Sequence, residues 1–101
     1  MIDKNTQKLA QELAYLYEEA YEIYKFEVEK IINLKIRDIN YIERTLDYIL
    51  DIYTDKGFNL FMELLLYYRT VNEKNAKEYL EILKEQRGDE YQDFVKTIKK
   101  I

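Results

Sequence analysis

Phe58-Asn59-Leu60-Phe61-Met62-Glu63-Leu64-Leu65-Leu66-Tyr67-Tyr68 carries nine apolar residues in eleven, and its reading decides the fold. Positions 58, 61, 65 and 68 step by three and four, as do 60, 64, 67 and 71, while Met62 and Leu66 fall on a third line. A half-buried strand would alternate with period two; these steps have helical period. A helix that is apolar nearly all round must be surrounded. The stretch therefore predicts a central helix in an all-α domain, or a helix partly covered by a second subunit. Phe58, Phe61, Met62, Leu65, Leu66 and Tyr68 are its candidate interface residues. The longest unbroken apolar run here, residues 64–68, is far shorter than the roughly 20 residues that cross a bilayer.

Upstream, Asn40-Tyr41-Ile42-Glu43 has the form of a capping box, which predicts a second helix with core positions Ile42, Leu46, Ile49, Leu50 and Tyr53. Gly57 is expected to end it in the left-handed conformation. Before that lies one long first helix, opened by Asp3 or Thr6 as cap. It carries two adjacent stripes: Leu9, Leu13, Leu16, Ala20 and Ile23, then Ala10, Ala14, Tyr17, Tyr21, Tyr24, Val28 and Ile31. Together they form an apolar face wider than a coiled-coil seam, so the helix expects partners on two sides. Residues 34–39 either extend it or form the turn.

Downstream, Thr70-Val71-Asn72-Glu73 is another capping-box pattern, followed by Ala76, Tyr79, Leu80 and Leu83 on one face. Gly88 ends or kinks this fourth helix. Asp89 then restarts a short fifth, with Tyr91, Phe94, Val95, Ile98 and Ile101 on its apolar side and three lysines suiting its C-terminus. The expectation is a single domain, residues 1–101, folded as a compact bundle of about five helices.

Composition agrees with this fold and removes several chemistries. Apolar residues make up 48% and charged residues 36%, too hydrophobic for a disordered chain and too charged for a membrane protein. No signal pattern opens the chain, which points to a cytoplasmic protein. Without cysteine or histidine, no disulfide framework forms and the usual zinc, iron and copper ligand sets are missing, as are Ser-His-Asp and Cys-His catalysis. No glycine-rich phosphate loop exists. No cofactor is expected. The net charge of −4, with bases divided seven and nine between residues 1–50 and 51–101, argues against direct nucleic-acid binding. A helix-turn-helix reading at Gly57 fails because the helix after it offers Phe, Leu and Met to base edges. Usage skewed towards Ile, Lys, Tyr, Glu and Asn suggests an AT-rich genome or its phage.

Two constellations remain as candidate sites. Glu43, Asp47, Asp51 and Asp55 recur at intervals of four along one ridge of the second helix, a row that would hold a cation, meet a basic partner or imitate a phosphate backbone, or simply be a solvated face. Tyr17, Tyr21 and Tyr24, three of eleven tyrosines, share a face that would be a stacking platform or the margin of a core. Arg87-Gly88-Asp89 reads as a helix end followed by a cap, and Asp55-Lys56-Gly57 lacks the spaced oxygen ligands of a calcium loop. The expected function is a non-enzymatic protein–protein interaction module that self-associates. The alternative is a small acidic inhibitor or regulator, from a phage or mobile element, of a nucleic-acid-handling enzyme; immunity-like and antitoxin-like proteins share its physical description.

Overall fold

Helical period runs from Lys4 to Asn33 (α1), resumes over Ile39–Leu50 (α2), and continues through Asp55–Val71 (α3) and Glu73–Gln86 (α4). The computed structural model describes residues 4–52, 54–86 and 88–89, and no strand occurs among them. The protein is all-α. Four helices stand among the described residues against the five expected; the fifth would occupy residues 90–101, outside them. The chain divides into two compact units, Met1–Leu64 and Leu65–Ile101, with α3 contributing to both.

In the first unit α1 packs on α2. Val28 and Ile31 of α1 and Ile42, Leu46 and Ile49 of α2 are all fully buried. The 42, 46, 49 spacing keeps those three side chains on one face. Ile52, Phe58, Leu60, Phe61, Met62 and Leu64 are buried as well. Thr45 is the one buried polar residue among those described, and its hydroxyl donates to the Tyr41 carbonyl at 2.9 Å. That bond satisfies a group whose burial would otherwise cost about 1–3 kcal/mol.

Residues 34–38 form the turn. Ile36 N–H donates to the Ile31 carbonyl at 2.9 Å and Lys35 N–H to that of Ile32 at 3.2 Å, the paired bonds of a Schellman end. This motif needs a left-handed residue, usually glycine, and Lys35 takes that place with φ 53°. A side chain there costs about 1–2 kcal/mol. Lys35→Gly is therefore expected to raise stability by about 1 kcal/mol in urea denaturation. A fall in stability would show that the lysine side chain supplies more than the backbone conformation costs.

The helix starts correct the capping-box readings. Asp38, not Asn40, caps α2: its carboxylate accepts from Tyr41 N–H at 3.1 Å. Asn72, not Thr70, caps α4, accepting from Asn75 N–H at 2.9 Å, while the Thr70 hydroxyl turns back onto the Tyr67 carbonyl at 2.6 Å. Thr6 lies inside α1, and Asp3 falls outside the described residues. Thr54 caps α3, its hydroxyl accepting from Gly57 N–H at 3.0 Å. Asp55 then sits in the first turn of α3, where the positive end of the macrodipole favours a carboxylate.

Gly57 is the clearest correction. It lies within α3 and has no left-handed φ, so it does not end α2. Its role is spatial: a Cβ at position 57 would stand 2.5 Å from the Ile52 carbonyl oxygen. Only a residue without a side chain lets the α2–α3 turn close this tightly. Gly88 has helical backbone and no left-handed φ either.

In the second unit, Leu65 and Tyr68 of α3 and Ala76 and Leu83 of α4 are buried. Tyr68 meets Tyr79 edge to face, with ring centroids 6.4 Å apart, and its hydroxyl accepts from the Asn75 side-chain amide at 3.2 Å. The Lys77–Glu73 and Lys84–Glu81 pairs on α4 are exposed and contribute at most a few tenths of a kcal/mol each.

Candidate functional site

The most conspicuous surface is the first half of α1, where no residue from Lys4 to Leu16 is buried. Leu9, Leu13, Leu16 and Ile23 are 66, 48, 58 and 61% exposed, and Phe26 is 67% exposed. Of the two stripes expected to share one broad apolar face, the structure covers part of one, from Tyr17 onward, and leaves its Ala10 and Ala14 exposed. Tyr17, Tyr21 and Tyr24 are half-buried and lead into buried Val28 and Ile31, while the Leu9–Ile23 row stays open. The reason is helical geometry. The two rows lie about 100° apart around the axis, and one neighbouring helix covers only one of them.

The tyrosine face is already engaged within its own unit. Tyr24 stacks on Tyr48 with centroids 5.6 Å apart and planes 20° apart. Lys56 lies over the Tyr21 ring at 5.6 Å and pairs with Glu18 at 3.2 Å. Tyr41 donates its hydroxyl to Glu27, with Lys30 5.7 Å from its ring centroid. The bond to Glu27 raises the Tyr41 pKa above its ordinary value, because the carboxylate favours the protonated phenol. The Tyr24 pKa is raised chiefly by partial burial. Tyr17, Tyr21 and Tyr24 thus form the margin of a core, with two of the three rings committed to neighbours.

Glu43, Asp47, Asp51 and Asp55 do not follow one helix. Glu43 and Asp47 lie on α2, Asp51 is its C-cap residue, and Asp55 begins α3. The row breaks at Leu50, where backbone bonds from Asp51 and Ile52 N–H to the Tyr48 and Ile49 carbonyls, at 3.2 and 2.9 Å, tighten and end the helix. Among the described residues no group of three or more acidic, histidine or cysteine side chains is placed to hold a metal ion.

The α3 candidates also change place. Phe58, Phe61, Met62, Leu65 and Tyr68 are at most 5% exposed, and Leu66 alone of the six presents surface. The apolar surplus lies on α1 instead. Its signal in the sequence is the strict alternation of steps in Leu9, Leu13, Leu16, Ala20 and Ile23. Ile23 also walls a shallow groove of about 370 Å³ with Tyr24, Arg44 and Tyr48, so the open row runs into a concave surface beside α2. No helix among the described residues is long and apolar enough to cross a membrane. No protein-family model matches this chain, and comparisons with curated proteins and with solved structures find no match for it.

Proposed function

We propose that this chain is a non-enzymatic protein-interaction module whose working surface is the open face of α1. The observation that carries the reading is the exposed row Leu9, Leu13, Leu16 and Ile23 on a helix whose remaining solvent side is mostly polar, Tyr15 and Phe26 aside. Single exposed apolar residues are ordinary; a contiguous strip several residues long marks a surface that another molecule covers. A helix with apolar anchors at steps of three and four is met either by a groove or by a second helix. Both are protein surfaces.

The acidic-inhibitor reading draws less support from the fold. A phosphate mimic needs a continuous row of carboxylates, and the row from Glu43 to Asp55 is interrupted by the end of α2 and the start of α3.

The test is position-specific photo-crosslinking in the native host. A photoreactive phenylalanine at position 13, on the open row, is expected to give discrete covalent protein adducts. The same residue at position 25, exposed and away from the row, is expected to give none. Identical products at the two positions, or no product at position 13, would overturn the reading.

A further inference from the structure

We infer that the molecule covering the open face of α1 is a second copy of this chain, paired with the first in parallel and in register along residues 6–23. This deepens the proposed interaction surface and rests on it. The argument begins with spacing. Thr6, Leu9, Leu13, Leu16, Ala20 and Ile23 step by three, four, three, four and three, which is the alternation of a two-stranded coiled-coil seam. On α1 that seam is about 27 Å long. Such a seam is complementary to itself, because each knob enters a hole formed by four residues of an identical helix.

Charge selects the orientation. The residues flanking the seam on one side are Glu12, Glu19 and Phe26; on the other they are Ala10, Tyr17 and Tyr24. In a parallel pair the two flanks face each other, so Glu12 meets the partner's Tyr17 and Glu19 meets the partner's Tyr24. Neither contact opposes like charges; Tyr17 offers its phenol hydroxyl to the partner's carboxylate, while Tyr24, stacked on Tyr48, presents a ring edge. An antiparallel pair sets Glu12 against the partner's Glu19, twice, in a site that loses water. The half-exposed tyrosine margin thus becomes the second wall of the seam.

The area is also suited to a second copy. The open side chains of Leu9, Leu13, Leu16 and Ile23, within the seam, expose on the order of 400 Å² per copy, inside the range for a single patch on a monomer. Counted on both partners, this stays below the roughly 1,200 Å² at which standard interfaces begin, in the range of weak, reversible pairs. The pair is accordingly concentration-dependent rather than obligate.

The test uses the full chain. Sedimentation equilibrium from low micromolar to near-millimolar concentration is expected to show a monomer–dimer equilibrium. Leu13→Glu should weaken it at least tenfold, while Tyr15→Glu, off the seam, should leave it unchanged. Circular dichroism on each variant separates lost pairing from lost folding. Orientation is read independently of those variants, because the chain has no cysteine of its own. Thr6→Cys should form a disulfide-linked dimer on mild oxidation, since position 6 faces its own copy in the parallel pair. If Thr6→Cys fails to link but links when mixed with Ile23→Cys, the pair is antiparallel and the inference is overturned. A monomer at every concentration, with no linkage, overturns it too. In that event, position-13 adducts to a different protein would leave the interaction-module reading standing without self-pairing.

Discussion

Tyr68→Ala is expected to remove about 3–5 kcal/mol of stability, a large share of the roughly 5–15 kcal/mol that holds a domain of this size. Tyr68 is fully buried, and three contributions leave with it: the ring's burial, its edge contact with Tyr79 at 6.4 Å, and the bond from the Asn75 amide at 3.2 Å. Tyr68→Phe separates them. It keeps the ring and its contact and removes only the hydroxyl, so its cost should be about 1 kcal/mol. Urea denaturation of the two variants gives the comparison. Equal losses would mean that the hydroxyl, not the ring, holds this region, contrary to the geometry.

The second large effect concerns the chain's two glycines, which should respond to alanine with opposite signs. Both have helical backbone, where alanine is intrinsically favoured by about 1 kcal/mol. At Gly88 nothing lies within 4 Å of the added methyl, so Gly88→Ala should be neutral or stabilising by up to about 1 kcal/mol. At Gly57 the methyl would meet the Ile52 carbonyl oxygen at 2.5 Å and the Ile52 side chain at 2.7 Å. A backbone atom cannot rotate aside, so the α2–α3 turn must open. Overpacking of this kind costs typically 1–3 kcal/mol, and after the propensity gain Gly57→Ala should still destabilise by about 2 kcal/mol. Thermal unfolding would then fall by roughly 10 °C. A Gly57→Ala protein as stable as the parent would show that the turn has room to yield.

These two glycines also show what the sequence makes legible. That the chain is all-α follows from steps of three and four that no strand sustains, and the buried sets Val28–Ile31 and Ile42–Leu46–Ile49 lie on the stripes the periodicity marks. Helix ends are read less well. Both capping boxes were displaced by two residues, because Asp38 competes with Asn40, and Asn72 with Thr70, for the same exposed N–H groups. The pattern names a neighbourhood, and the backbone path selects the oxygen. Gly57 looks the same in a sequence whether it supplies a left-handed angle or empty space. The left-handed angle fell instead to Lys35, which nothing in its residue type announces.

The candidate surface was half legible. Both stripes of α1 are plain in the sequence, but adjacent apolar rows look alike until a neighbour covers one of them. The tyrosine row met α2 through the Tyr24–Tyr48 stack, and the leucine row did not. The acidic row failed for a different reason. Spacing by four has meaning only while the helix lasts, and α2 stops between Asp47 and Asp55.

The exposed half of α1 has one last consequence, in the energetics of recognition. Thirteen residues, Lys4 to Leu16, form helical turns without burying a single side chain, and an isolated helix of that length is marginal in water. Its order is borrowed from the anchored half that follows, so it frays and re-forms far more readily than the core opens. Any molecule that covers the leucine row must therefore also complete the helix, and its affinity contains that ordering cost. Residues on the solvent side of α1, such as Gln7 and Gln11, then acquire influence over binding without touching a partner. Their helix propensity sets how much of the surface is already in place when the partner arrives.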